Sequence, residues 1–325
     1  MPTSMRIGLV TEALIHWTLP EVLDWLVAEV PEITDLEIGS GAYAPTRHCD
    51  MARLLSDAGS RKTWDNEIAG RGLRVAALNV WGNPLHPDAE VAKAHDKALR
   101  DTITLAGALG VPRIVAMAGC PAAVQGDQTP VFPGGGWLPY LENLHLRQWH
   151  EKTMPYWQSL CEFAQREHPE LLICLELHPG TVAHNVESFE QLCQLSPSIA
   201  ANIDPSHFFW TGMDAAAVVK RLGRRVGHAH AKDLIFNKEQ LALNGLLDRR
   251  WPSPAEQMPW TFATVGKGHG VDWWGQFVDD LASCGRAHTL AIEHEDPFVP
   301  AEVGIKAAAG LLARACGGQT EGNAT

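Results

Sequence analysis

The sequence lacks several features that mark common classes of protein. No stretch reaches the ~18 consecutive apolar residues that a membrane-spanning helix needs. The first residues, MPTSMRIGLV, contain neither the long apolar segment nor the cleavage site of a secretory signal. The seven cysteines include no CxxC pair, and we expect reduced thiols in the core of a cytoplasmic protein. No GxGxxG follows the first predicted strand, which disfavours a dinucleotide-binding fold.

Positive charge is also in short supply. The chain has 26 lysine and arginine residues against 38 aspartate and glutamate residues, a formal net charge of −12. An acidic surface repels phosphate backbones, so we expect no nucleic-acid partner. With 46% hydrophobic and 20% charged residues, the composition is typical of a soluble globular protein. A chain of 325 residues is long enough to bury a large core.

Eight short apolar runs recur, each followed by a segment with helical spacing. The runs predict strands at Arg6–Val10, Thr34–Ile38, Val75–Val80, Arg113–Met117, Leu171–Leu177, Ala200–Asp204, Val226–Lys232 and Thr289–Glu293. The segments between them predict helices at Pro20–Val30, Cys49–Ala69, Asp88–Leu109, Leu146–His168, Asn185–Leu195, Asp214–Leu222, Asp272–Cys284 and Pro300–Ala315. Continuous apolar strands are typical of a parallel sheet buried on both faces. Eight repeats favour an α/β fold with a single (β/α)8 TIM barrel over an open sheet.

Two predicted connections are unusually long. Ala118–His145 follows the fourth strand, and Asp233–His269 follows the seventh. Loops of this length in a compact domain are usually lids or binding loops, and both would lie at the carboxyl face, where barrel active sites are built. We predict one domain over residues 1–317 and a disordered tail over residues 318–325.

Acidic and imidazole residues gather at the ends of the last four predicted strands. They include Glu176 and His178, Asp204 and His207, His228, His230 and Lys232, and Glu293 and Glu295. Carboxylates that converge on one barrel mouth repel each other, and a divalent cation removes that repulsion. Oxygen and nitrogen donors without a thiolate suit Mn²⁺ best here, and they leave Mg²⁺, Co²⁺ and Zn²⁺ open.

Further polar and aromatic residues are candidates for substrate contacts at the same face. They are Asn79 near the end of the third strand, Trp81 and His86 after it, Trp137 and Trp210 in later loops, and Lys232 at the end of the seventh strand. Tryptophan beside polar groups commonly holds a sugar ring, although packing in the core is the alternative for each one. His178 lies two residues beyond Glu176 on the same strand face, about 6–7 Å further out at ~3.3 Å per residue. We therefore expect His178 to contact the substrate rather than the metal.

Several motifs together resemble the xylose isomerase-like superfamily of sugar phosphate isomerases and epimerases, over nearly the whole chain. They are NPLHP, the GCP…GGGW loop, ELHPG, NIDPSHFFWTG, HAHAKD, GKGH and IEHED. In epimerases of that superfamily four matching residues bind one metal ion. The resemblance therefore implies the ligands Glu176, Asp204, His230 and Glu293. Two further roles are implied in the same way: both glutamates exchange protons with the substrate, and His207 binds substrate oxygens.

The resemblance implies a metal-dependent sugar or keto-sugar isomerase or epimerase that removes a proton next to a carbonyl through an enediolate. The branch that combines ELHPG, DPSH and HAHAKD also includes C-glycoside deglycosidase catalytic subunits and enzymes acting on 3-keto-glycosides. A lyase or hydratase with the same first deprotonation therefore stays open.

Two departures from the motifs of related proteins narrow the choice of substrate and activity. Phe236 stands where ketohexose epimerases carry a substrate-binding arginine, six residues after the metal-binding histidine, which disfavours free ketohexoses. An abasic-site endonuclease is a weaker alternative, because GKGHGVD lacks the further Asp-x-His of its three-zinc site. We expect a small sugar as the binding partner and no membrane association. Assembly into a homo-oligomer or with a small accessory subunit stays open.

Overall fold

The computed structural model describes residues 5–134, 138–247 and 254–317. Its strands are β1 (Arg6–Val10), β2 (Ile33–Gly39), β3 (Arg74–Val80), β4 (Arg113–Met117), β5 (Leu172–Glu176), β6 (Ile199–Ile203), β7 (Val226–Ala231), β8 (Asp233–Phe236), β9 (Trp260–Ala263) and β10 (Thr289–Ile292). Eight of them form a closed barrel in the order β1-β10-β7-β6-β5-β4-β3-β2. This order confirms the predicted (β/α)8 barrel.

Helices follow most of the barrel strands. They are α1 (Leu19–Glu29), α2 (Met51–Ser56), α3 (Ala58–Ala69), α4 (Ala89–Leu109), α5 (Pro139–Arg147), α6 (Met154–Glu167), α7 (Val186–Cys193), α8 (Pro205–Thr211), α9 (Ala215–Leu222), α10 (Lys238–Asn244), α11 (Val271–Cys284) and α12 (Ala301–Gly317). A π-helical turn, Gln148–Thr153, joins α5 to α6. Within the described ranges, no helix is long and apolar enough to cross a membrane.

Both predicted long connections contain regular structure that the sequence patterns did not indicate. In the connection after β4, α5 begins at Pro139, earlier than the helix start predicted at Leu146. Proline suits the first helical turn, because it lacks the backbone N–H that would have no partner within the helix at that position. In the connection after β7, β8 and β9 pair antiparallel, with Asp233 opposite Ala263 and Phe236 opposite Trp260. These strands are four residues each and far apart in sequence, so no short turn marks them as a hairpin.

The chain divides into two compact units whose boundaries fall partly inside β2, β3 and β6. The first unit contains the described residues of 5–36, 70–74 and 203–317, and the second those of 37–69 and 75–202. The single domain over residues 1–317 stays a prediction. The proposed tail, 318–325, lies outside the described residues.

In the first unit, β10 pairs in parallel with β1 on one side and with β7 on the other. Helices α11 and α12 pack against each other, and the large side chains of Trp274 and Phe277 on α11 are buried. Burying an apolar side chain of this size contributes roughly 1.5–3 kcal/mol. The β7–β10 pairing brings the carboxyl ends of these two strands side by side.

An ionic network around the buried carboxylate of Asp35 joins the beginnings of four strands in the first unit. Asp35 of β2 is fully buried and accepts hydrogen bonds from Arg74 Nε and Nη2 at 2.7 and 2.6 Å, from Arg6 Nε at 3.2 Å, and from the Thr289 hydroxyl. Burial raises the pKa of Asp35, but the bonds to Arg74 and Thr289 outweigh it, and the pKa lies below its ordinary value. The network compensates a buried charge that would be very costly if it were isolated.

In the second unit, β3, β4, β5 and β6 pair in parallel in that order. Its core cluster consists of Ala77, Val115, Leu172, Cys174 and Ala200. Trp81 packs against this cluster from the end of β3. The strand register sets Glu176 opposite Met117 of β4 and Asn202 of β6.

Candidate metal centre and active site

Asp204 stands between β6 and α8 and has a structural role as well as a candidate functional one. Its Oδ1 atom accepts a hydrogen bond from the backbone N–H of Ser206 at 2.8 Å, which caps the amino end of α8. Its Oδ2 atom lies 3.4 Å from His207 Nε2 and 3.8 Å from Lys232 Nζ. One carboxylate oxygen thus holds the helix, and the other faces a group of titratable side chains.

His207 and Trp210 both lie in α8, and the expectation that Trp210 sits in a loop was wrong. Asp204 as N-cap and Pro205 in the first turn are both strong helix-starting signals, so a helix forms directly after β6, where we predicted a loop. The ring is buried, and burial lowers the pKa of His207 well below its ordinary value; the nearby Lys232 ammonium lowers it further, whereas Glu293 opposes the shift. His207 is therefore neutral near pH 7, with one nitrogen able to donate and the other able to accept.

His230 and Glu293 meet at the paired ends of β7 and β10. His230 Nδ1 lies 2.8 Å from Glu293 Oε2, and both side chains are buried. The parallel register places His230 opposite Ala291 and Ala231 opposite Ile292, so that Glu293 lies two positions beyond His230 along the paired strands. A ring nitrogen and a carboxylate oxygen this close can share one cation.

Lys232 neutralises the second oxygen of Glu293. Its Nζ atom lies 2.9 Å from Glu293 Oε1 and 2.6 Å from Glu295 Oε2, and it also sits 4.3 Å from the centre of the Phe262 ring. Burial raises the pKa of Glu293, but the charges of Lys232 and His230 outweigh it and hold the pKa below its ordinary value. Glu293 is therefore an ionised carboxylate at neutral pH.

The β8–β9 hairpin adds aromatic side chains to this group. The Phe262 ring contacts His207 edge-on at 5.9 Å, and Trp260 stacks on the predicted substrate residue Trp210 at 4.9 Å between ring centres. Sequence reasoning missed Phe262. Alternation along β9 was the available signal, since Trp260 and Phe262 are two residues apart and share one face of the strand.

Glu176 and His178 belong to the second unit. Glu176 ends β5, is buried, and accepts a hydrogen bond from Asn202 Nδ2 at 3.2 Å. His178 is half-buried, and its Nδ1 atom lies 2.6 Å from the carbonyl oxygen of Pro179. Ligand atoms of Glu176 and His178 come within 4.8 Å of each other, which is closer than the about 6–7 Å offset expected from strand rise alone. The distance between the two side chains therefore does not exclude His178 as a ligand of a cation bound by Glu176.

The remaining described candidates of the second unit lie in β3 or in the segment that follows it. Asn79 is buried; its Nδ2 donates to Glu37 Oε1 at 2.5 Å, and its Oδ1 accepts from the Trp81 backbone at 3.2 Å. The His86 Nδ1 atom accepts from the backbone N–H of Asp88 at 3.0 Å. Glu37 was also missed, although an acidic residue in the apolar run of β2 was a usable signal. Trp137 lies outside the described residues.

The donor chemistry fits a divalent cation. Among the described residues, groups of three His and Glu side chains offer ligand atoms within 4.8 Å of one another. Within the first unit, His230 and Glu293 offer a ring nitrogen and a carboxylate oxygen this close together, and within the second unit Glu176 and His178 do the same. Buried carboxylates beside imidazole, without a thiolate, suit Mn²⁺, Co²⁺ or Zn²⁺.

Comparisons with known proteins agree with this description. Residues 38–315 match the family described as xylose isomerase-like TIM barrel. The uncharacterized protein YfiH of Bacillus subtilis is 30% identical over 305 residues, covering 93% of this chain and 96% of that protein. The 3-keto-D-glucoside 4-epimerase YcjR of E. coli has a similar structure, with a TM-score of 0.61, 13% identity, and coverage of 96% of this chain and 98% of that one. The zinc-bound IolI protein has a TM-score of 0.61 at 16% identity, over 97% and 99% of the two chains.

The closed parallel barrel and the acidic and imidazole side chains at its strand ends define a TIM-barrel protein with a candidate metal site. The chain belongs to the xylose isomerase-like TIM barrel family.

Proposed function

We propose that this protein is a divalent-metal-dependent enzyme that isomerises or epimerises a sugar or keto-sugar. The observation that supports this most is the buried group of Asp204, His207, His230 and Glu293 in the first unit, with Lys232 balancing the charge of Glu293. The family membership and the similarity to a 3-keto-D-glucoside 4-epimerase point to the same substrate chemistry.

The proposed ligands are Glu176, Asp204, His230 and Glu293. The strand order of the barrel supports this set, because β5, β6, β7 and β10 are consecutive neighbours and each has one of these residues within one position of its carboxyl end. When bound, the cation supplies Lewis-acid polarisation of a carbonyl group, which acidifies the neighbouring C–H bond. Mn²⁺ remains the first choice, and the zinc of the IolI protein keeps Zn²⁺ open.

Glu176 and Glu293 would exchange protons with the substrate. One carboxylate removes the proton from the carbon next to the carbonyl, leaving an enediolate, and the other, initially protonated, returns a proton. Return to the opposite face of the same carbon gives epimerisation, and return to the neighbouring carbon gives isomerisation. Lys232, 2.9 Å from Glu293, favours Glu293 as the first acceptor because it stabilises the ionised form. The neutral ring of His207 can donate to a substrate oxygen that gains charge.

Solvent deuterium exchange tests this function directly. Metal-loaded protein with added Mn²⁺ is incubated in deuterium oxide with a panel of keto-sugars, and deuterium at the carbon next to the carbonyl is followed by NMR. We expect exchange in at least one sugar and its loss in Glu293→Gln. Absence of exchange across the panel, with folded and metal-loaded protein, would contradict the proposal. Loss of a hydroxyl with formation of a double bond would keep the deprotonation and change the class to lyase.

We also propose which molecules the protein binds and which it does not. We propose a small sugar as its substrate, no cleavage of abasic-site DNA, and no membrane association. A cytoplasmic location, and assembly with a second copy or a small accessory subunit, also stay predictions.

A further inference from the structure

Three of the sequence motifs contain residues that have no role in the proposed reaction. They are Asp233 of HAHAKD, the turn Thr264–His269 that contains GKGH, and Asp296 of IEHED. All of them belong to the first unit, and Asp233 directly follows Lys232 as Asp296 directly follows Glu295. Both aspartates are buried, and a buried carboxylate needs hydrogen-bond donors or positive charges beside it.

Asp233 binds the turn through both of its carboxylate oxygens. Its Oδ2 atom accepts hydrogen bonds from the backbone N–H groups of Gly266, Gly268 and His269, each at 3.0 Å. Its Oδ1 atom accepts from His269 Nδ1 at 2.7 Å and from the N–H of Leu234 at 2.9 Å. Hydrogen bonds to an ionised acceptor are stronger than those between neutral groups, so this carboxylate holds the turn firmly.

Asp296 binds the other end of the same turn. Its Oδ2 atom accepts hydrogen bonds from the N–H and the hydroxyl of Thr264, at 2.8 and 2.7 Å, and from Lys267 Nζ at 2.9 Å. Its Oδ1 atom accepts from the N–H of Phe298 at 2.9 Å. The turn therefore joins the chain that follows β7 to the chain that follows β10.

The glycines of GKGH allow the turn to lie this close to Asp233. Gly266 has a φ of 101°, which glycine adopts without steric strain. A Cβ atom on Gly268 would overlap the carbonyl oxygen of Leu234 and would lie 2.6 Å from Asp233 Oδ1. A side chain at position 268 would therefore push the turn away from the carboxylate.

Lys232 lies where the anchored chain leaves the barrel. It is the single residue between β7 and β8 and is 4% exposed. Its Nζ atom lies 2.9 Å from Glu293 and 2.6 Å from Glu295. A lysine side chain has many rotamers, so holding it in one position costs conformational entropy. Anchoring the backbone at Asp233 and at Asp296, on both sides of this ion pair, limits that freedom.

We propose that the turn Thr264–His269 is a clamp that positions Lys232 for the reaction. Asp233 and Asp296 are positioning residues, because they hold the turn and act through Lys232. The inference rests on the proposed function, in which Lys232 stabilises the ionised form of Glu293, and deepens it. When the clamp is released, Lys232 Nζ loses its fixed distance from Glu293, and proton transfer to that carboxylate slows.

Chemical labelling measures the position of Lys232 without relying on catalysis. Protein with added Mn²⁺ reacts with acetic anhydride, and mass spectrometry compares the acetylation of Lys232 with that of Lys220, which is exposed on α9. Asp233→Asn places an amide N–H group against the backbone donors of the turn. We expect the Lys232-to-Lys220 ratio to rise at least ~10-fold in this variant, because local opening exposes the buried amine.

Asp35→Asn is the matched control for the labelling. It also removes a buried carboxylate charge from the first unit, but at the beginnings of the strands rather than at their ends. It should leave the labelling ratio unchanged, which separates the clamp from a general loss of stability. His269→Phe is a milder second variant, because a phenyl ring can keep the stack on Phe209 while the Nδ1 donor is lost. It should raise the ratio in the same direction, and it carries the test if Asp233→Asn does not fold.

A double-mutant cycle tests whether Asp233 acts through Lys232. In deuterium exchange with the keto-sugars, Asp233→Asn should lower kcat at least ~10-fold with little change in KM, because a displaced group slows the chemical step. In the Lys232→Met background the same change should cost less than ~2-fold, since residues that act together are not additive. A purely structural role of Asp233 would cost the same factor in both backgrounds.

The labelling and the kinetics separate the clamp from the proposed function. Faster labelling of Lys232 in Asp233→Asn, but not in Asp35→Asn, supports the clamp even if the native protein exchanges no deuterium, an outcome that would overturn only the proposed function. A labelling ratio that rises no more in Asp233→Asn and His269→Phe than in the control, or equal factors in the cycle, would overturn the clamp and leave the proposed function intact.

Discussion

The Nδ1 atom of His230 lies 2.8 Å from the Oε2 atom of Glu293, while Lys232 Nζ lies 2.9 Å from the other oxygen of the same carboxylate. The two oxygens of Glu293 thus have different neighbours. The ammonium compensates the charge at Oε1, and Oε2 and the ring nitrogen form the pair best placed to bind a cation. The parallel pairing of β7 with β10 creates this arrangement, because it sets the ends of the two strands side by side.

Removal of a single proposed ligand should release the metal. We expect one equivalent of divalent metal per chain in the native protein and a loss of at least ~100-fold in affinity in Asp204→Asn and Glu293→Gln, since even residues that only support ligands cost 10–100-fold. Asp204→Asn keeps a side-chain oxygen for the cap of α8. Metal analysis after dialysis measures the content. Glu295→Gln is the control, because Glu295 is 46% exposed and is not a proposed ligand. A full equivalent of metal in Asp204→Asn and in Asp204→Ala would remove Asp204 from the site.

Glu176→Gln and Glu293→Gln should each lower turnover at least ~10²-fold, as expected for loss of a general acid or base. Since both are also proposed ligands, rates are compared at saturating Mn²⁺ with the metal content measured in parallel. The Asn202→Ala variant, which removes the donor to Glu176 at 3.2 Å, should have a smaller effect. Near-native rates in metal-loaded glutamine variants would exclude both glutamates as proton carriers.

His178→Ala and His207→Ala should keep most of their metal and lose substrate affinity or turnover. Both rings are proposed to act on substrate oxygens: His207 is a buried neutral imidazole, and His178 is half-buried two residues beyond the end of β5. Metal content and KM are measured on each variant. The 3.4 Å between His207 and Asp204, and the short separation of His178 from Glu176, make the opposite outcome informative. Loss of metal with the fold intact would make that histidine a ligand.

Asp35→Asn should destabilise the fold by about 2 kcal/mol at pH 7, because the buried side chain loses its charge and its hydrogen bonds with Arg74 and Arg6, whose side chains are 43% exposed, become weaker. The pKa of Asp35 is lowered in the folded state, so its contribution is complete above the ordinary pKa of 3.8 and is lost as pH falls through the folded value. The difference between native and variant in urea unfolding should therefore shrink only below about pH 4.

Asp24→Asn is the matched control for Asp35→Asn. Asp24 pairs with Arg71 at 2.6 Å but is 68% exposed, and such surface pairs contribute about 0–1 kcal/mol. Equal losses of stability in the two variants would show that the Asp35 network does not stabilise the barrel.

The sequence by itself determined the barrel, because alternation of apolar runs with helical spacing is a local property. It also indicated which residues follow the strands, since each strand end is marked by a change from apolar to charged residues, as in LLICLEL and LAIEHED. Strands β1 and β4 have the predicted bounds, and the other six barrel strands differ from the prediction by one residue at one or both ends.

Only the tertiary structure decided which side chains meet. Gln148 donates to Pro121, 27 residues away, and Phe262 covers Lys232 from a hairpin whose strands are separated by a long insertion. Glu37 reaches Asn79 across 42 residues. No periodic pattern encodes such pairs, because they depend on the register of the strands and on the packing of loops. The division of the Glu293 carboxylate between His230 and Lys232 is of this kind: the sequence places all three at strand ends, and only the pairing of β7 with β10 sets which oxygen faces which partner.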